Sequence, residues 1–132
     1  MEELRAIILS ALPAPIREES ESAELVFVAG EPGLVLVRLR DSSLDVELFG
    51  VRWDGQIPVQ DSEPFASVSF DRLPKDGTAA RECLADIIRA AILIRQASFR
   101  RCEICGKPNP PEWLHDGKTC QGCAERVLGV VH

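Results

Sequence analysis

Four cysteines near the end of the chain, Cys102, Cys105, Cys120 and Cys123, stand in a Cys-x2-Cys-x14-Cys-x2-Cys array. Each Cys-x2-Cys can turn two sulfurs toward one point, and a connection of this length returns the second pair to complete a tetrahedron. The array predicts a Zn2+ site with Cys102, Cys105, Cys120 and Cys123 as its ligands. Four thiolates leave no open coordination position, so the expected role of the metal is structural and not catalytic. His115 between the pairs and His132 at the end are then expected to be a polar loop residue and a frayed terminus. Cys83 falls inside a helical pattern and reads as a small core residue, not a fifth ligand.

Other chemistry is sparse. The chain has no P-loop, no Gly-rich dinucleotide turn, no His-Glu-x-x-His and no nucleophile elbow. With two histidines in the whole chain, imidazole acid/base catalysis has few candidates. The expectation is a protein that is not an enzyme.

Within the array, Gly106 directly follows Cys105, and glycine permits the positive φ of a tight knuckle whose amides point at sulfur. Cys120-Gln121-Gly122-Cys123 runs straight into Ala124 to Leu128, which reads as the first turns of a helix. Amides and dipole at such a helix start would help keep both sulfurs as thiolates. On these residues the last quarter of the chain, Arg100 to His132, resembles a four-cysteine zinc finger of the treble-clef type. The β-branched Val127, Val130 and Val131 keep a zinc ribbon open as the alternative. The resemblance covers this module alone.

The elements that must position the array come before it. Glu3 to Leu12 predicts a short helix with Leu4, Ile8, Ala11 and Leu12 on one side, ended by Pro13 and Pro15. From Leu25 the pattern turns to β: Leu25 to Ala29, Leu34 to Arg40 and Asp45 to Trp53, with a hairpin signal at Asp54-Gly55 returning through Gln56 to Val59. Charge matching suggests Arg40 opposite Asp45 and Arg38 opposite Glu47 in the central hairpin, with a loop from Asp41 to Leu44. Pro64 to Phe70 adds a further candidate strand, and the acidic run Glu18 to Ser22 reads as a solvated loop. Between Gly77 and Ala97, the residues Ala80, Leu84, Ile87, Ile88, Ala91 and Ile94 recur in helical rhythm behind an N-cap at Asp76 or Thr78. Arg95 falls off that expected stripe.

The predicted fold class is α+β: an antiparallel sheet covered by a long amphipathic helix, with a small C-terminal zinc finger. The expected division is residues 1–99 as an α+β domain and 100–132 as the zinc-finger module, docked because only Ser98 to Arg101 join them.

Charge then narrows the partners. The formal net charge is −6, and the acid sits in the first 99 residues, which opposes non-specific attraction to phosphate backbones. No stretch approaches the apolar length that a membrane span needs, and Glu2 and Glu3 stand where a signal peptide would be basic. Paired Cys-x2-Cys motifs suit a reducing compartment, so the expected location is cytoplasmic.

The functional expectation is a non-enzymatic zinc-binding protein acting through protein contacts as an adaptor or regulatory factor. Pro108 to Leu114 is a stiff segment carrying Trp113 between the ligand pairs, either a contact surface or the module's own small core. The first alternative is a nucleic-acid-binding regulator using Arg100, Arg101, Lys107, Lys118 and Arg126 with Trp113 as a stacking residue, although Glu103, Glu112, Asp116 and Glu125 interleave with them. The second is a thiol-based redox or zinc sensor. The sequence sets no oligomeric state.

Overall fold

The computed structural model describes residues 2–21, 24–115 and 117–127. Helix α1 (Glu2–Ala11) leads into five strands of one antiparallel sheet: β1 (Ile16–Glu21), β2 (Glu24–Ala29), β3 (Val35–Leu39), β4 (Ser43–Leu48) and β7 (Glu63–Ser69), in the order β1-β2-β3-β4-β7. Between β4 and β7 the chain makes an excursion, the separate hairpin β5 (Val51–Asp54) and β6 (Ile57–Gln60). Helix α2 (Gly77–Ala97) follows, capped by the Asp76 carboxylate accepting from the Thr78 amide at 3.0 Å. The fold is α+β, as the alternation of periods predicts.

One sheet face forms the main core. Phe27, Ala29, Val35, Val37, Leu39, Leu44 and Val46 point to Ile7 and Ile8 of α1 and to Leu84, Ile88 and Ala91 of α2. Alternation puts the remaining residues of the central strands on the other face, where Val26, Val28 and Leu36 are buried with Phe49 packed against them. Charged side chains flank that small second cluster: Arg38 pairs with Glu24 (3.0 Å) and Glu47 (3.2 Å), and Arg40 with Glu24 (3.3 Å) and Asp45 (3.1 Å).

Several expectations are corrected. The acidic run is not a loop: residues through Glu21 form the edge strand β1, whereas Ser22 lies outside the described residues. Charged side chains suit a sheet edge because they deter pairing with a further strand, and Arg17 meets Glu19 at 2.7 Å while Arg5 meets Glu18. The central hairpin is two residues out from the charge-matched register. Arg38 lies opposite Asp45 and Leu39 opposite Leu44, and the Arg40 amide donates to the Ser43 carbonyl at 2.9 Å across a turn at Asp41-Ser42. A two-residue shift keeps every side chain on its face, so Arg38 still reaches Glu47 and Arg40 still reaches Asp45, now diagonally.

Asp45 to Trp53 is not one strand. It breaks at Phe49-Gly50, where the Asp61 amide donates to the Gly50 carbonyl at 3.0 Å. A Cβ on Gly50 would sit 2.7 Å from the Asp61 carbonyl oxygen, so the close approach at the base of the β5–β6 hairpin requires glycine there.

The stripe of α2 is also displaced at its end. Ala80, Leu84, Ile88 and Ala91 are buried, but Ile94, expected to continue them, is 48% exposed and Arg95 is 6% exposed in its place. Among the described residues, no helix is long and apolar enough to cross a membrane.

Candidate metal centre and its attachment

Two short hairpins and one helix hold the cysteines. Strands β8 (Arg100–Arg101) and β9 (Pro108–Asn109) bracket the first pair, while β10 (Leu114–His115), β11 (Thr119–Cys120) and α3 (Gln121–Val127) carry the second. The first turn is a knuckle. The Gly106 amide donates to the Cys102 carbonyl at 2.9 Å, and Gly106 adopts φ 75° with nothing within 4 Å of a notional Cβ, so conformation and not space selects glycine. In the second half Cys120 closes β11 and Cys123 stands in the first turn of α3, where free helical amides are available. The Glu103 amide donates to the Lys118 carbonyl at 2.8 Å and ties the two halves together.

All four sulfurs lie within 4.8 Å of one another. A zinc ion with sulfurs at about 2.3 Å has sulfur–sulfur edges of about 3.8 Å, and Cys105 Sγ and Cys120 Sγ are 3.8 Å apart. The donor set, and this one edge of it, therefore fit a thiophilic metal ion. Cys102 and Cys123 are buried, Cys120 is half-buried and Cys105 is exposed, so the cluster opens to solvent on one side only. Cys83 is half-buried and stands apart from the cluster.

Electrostatics prepare one sulfur more than another. The amides of Ile104 and Cys105 donate to Cys102 Sγ at 3.4 and 3.5 Å. The backbone hydrogen bond from Cys105, then that from Cys120, brings the Cys102 thiol down from 9.0 to about 6, so it is a thiolate at neutral pH. Cys123 is pushed the other way, to about 11, first by its side-chain contact with Cys120 and then by burial. A cation opposes that rise: Arg126 donates to Cys123 Sγ at 3.6 Å, and the same contact raises the Arg126 pKa. Arg101 reaches the Gly106 carbonyl at 2.9 Å, whereas Arg126 makes the cation–sulfur contact. His115 is half-buried in β10, and His132 lies outside the described residues.

The least anticipated feature is how the cluster joins the rest of the chain. Pro110 and Pro111 stiffen a single turn of 3-10 helix (Pro111–Trp113) that places Glu112 toward α2. Glu112 and Arg95 form a buried two-pronged ion pair, side-chain exposures 10% and 7%, with the second contact at 3.3 Å. Arg95 Nε donates to the Gly33 carbonyl at 3.2 Å, and the Phe99 ring lies 5.1 Å from its guanidinium carbon. Trp53 Nε1 donates to the Glu112 carbonyl at 2.7 Å, and its ring meets Trp113 edge to face at 5.2 Å and 86°.

Arg95, Glu112 and Trp53 were not read as connected from the sequence. One signal was available: Arg95 follows Ala91 by four residues and so prolongs the buried stripe, and a buried charge demands a partner.

No protein-family model matches the chain, and no curated protein and no solved structure matches it.

Proposed function

We propose that the protein binds one structural Zn2+ through Cys102, Cys105, Cys120 and Cys123 and acts, without catalysis of its own, as an adaptor or regulatory factor through protein contacts. The observation that carries this reading is the set of four sulfurs gathered within 4.8 Å of one another, with Cys105 and Cys120 at the 3.8 Å edge of a zinc–thiolate tetrahedron. The succession of knuckle, hairpin and helix start supports the treble-clef reading of the module over the ribbon. Support for protein contacts comes from Trp53 (39% exposed) and Ile57 (66% exposed) on the β5–β6 hairpin, beside a proline-stiffened segment. A reducing cytoplasmic compartment is the setting in which such thiolates persist.

The decisive experiment measures zinc per chain in protein purified under reducing conditions, then compares partners captured by the zinc-loaded chain and by a Cys102→Ser variant. Substoichiometric zinc refutes the metal reading, and identical partner sets refute a role for the module in contact.

A nucleic-acid reading stands second because Arg100, Arg101, Lys107, Lys118 and Arg126 are all exposed. Trp113, its candidate stacking residue, is engaged with Trp53. Binding to DNA or RNA that weakens steeply with added salt would favour it.

A further inference from the structure

Glu112 touches three distant parts of the chain at once. Its carboxylate holds Arg95 near the end of α2, its carbonyl receives Trp53 of β5, and through Arg95 it reaches Gly33 in the turn between β2 and β3. It sits between the two cysteine pairs, two residues before Leu114, which lies opposite Cys120 in the β10–β11 ladder. Both Glu112 and Arg95 are almost wholly removed from water, so neither tolerates loss of the other.

We infer that Glu112 is a latch through which metal occupancy and the packing of α2 against the β2–β3 turn become one linked equilibrium. This rests on the zinc reading above. A 33-residue stretch with little apolar core owes its order to its metal, and releasing the metal frees the Pro110–Trp113 turn. Arg95 then loses the Glu112 carboxylate and rearranges toward solvent. Its departure loosens the hold on Gly33 and alters the groove of about 340 Å3 that Arg95 lines with Phe49, Gly50, Ser62 and Ile94.

Linkage is reciprocal: if metal supports the latch, the latch supports metal binding, although Arg95 is not a ligand. Such a coupling makes the groove and the Trp53 surface metal-dependent features of the protein. This is how a structural ion could govern what the chain presents to a partner.

The test uses the full chain, zinc ion and a competing chelator. Glu112→Gln keeps the shape of the side chain and leaves all four cysteines in place; Arg89→Gln changes an exposed α2 cation (68% exposed side chain) as a control. Zinc affinity is expected to fall about 5- to 150-fold in Glu112→Gln, the usual span of intersite coupling, and to stay unchanged in Arg89→Gln. Stripping zinc from the unaltered chain is expected to speed amide hydrogen exchange in the last turn of α2 and around Gly33. Wild-type zinc affinity in Glu112→Gln, or zinc removal that leaves exchange in those two segments unchanged, overturns the latch. Failure of the unaltered chain to bind zinc overturns the metal reading itself, so the two failures are told apart.

Discussion

Replacing Arg95 by leucine removes a cation from a place where it is 6% exposed and leaves three groups behind: the Glu112 carboxylate, the Gly33 carbonyl and the Phe99 ring face. Leucine matches the apolar stem but offers no donor, so Glu112, itself 10% exposed at its side chain, retains a buried charge without a partner. Breaking a buried pair from one side costs about 3–5 kcal/mol, against about 0–1 kcal/mol for an exposed pair such as Arg89 with Asp86. Urea denaturation of the zinc-loaded protein, followed by far-ultraviolet circular dichroism, separates these values readily. The double variant Arg95→Leu, Glu112→Leu is expected to recover most of the loss, because removing both charges also removes the desolvation penalty. A single-variant cost indistinguishable from that of Arg89→Ala, or a double variant no better than the single one, would refute the reasoning.

Serine at any of positions 102, 105, 120 or 123 is expected to abolish the four-thiolate spectrum of the cobalt-substituted protein, while Cys83→Ser leaves it intact. Gly33→Ala, whose Cβ would lie 2.5 Å from the Phe49 ring, should cost about 1–3 kcal/mol by denaturant melt. Leu84→Ala in the main core should cost about 2–5 kcal/mol, and Leu93→Ala, 60% exposed, close to none.

Much of the architecture was legible because it rests on local periodicity. The 3.6-residue rhythm of Ala80, Leu84, Ile88 and Ala91 locates α2 and its buried side, and the Asp76 cap is a local hydrogen bond. Alternation in Leu25 to Ala29 and Leu34 to Arg40 locates the central strands, and the β5–β6 turn is announced by Asp54-Gly55, with Gly55 at φ 65°. Charge matching found the correct face and correct ion-pair partners in the β3–β4 hairpin but missed the register by two. Diagonal and direct pairs across a ladder satisfy the same charges, so charge alone cannot choose between them.

By itself, the sequence determined the chemistry of the candidate metal centre and the approach of its four cysteines, since Cys-x2-Cys spacing and the glycine after Cys105 act over a few residues. Only tertiary structure decided what that centre is fastened to. Arg95 meets Glu112 across 17 residues, Gly33 across 62, and Trp53 meets Glu112 across 59. Those pairings depend on where α2, the β2–β3 turn and the β5 hairpin lie after packing, and no local pattern encodes that. Burial then gives them their weight: the same arginine on the outer side of α2 would be one more solvated charge, whereas beneath the Glu112 turn it holds the cysteine module to the sheet.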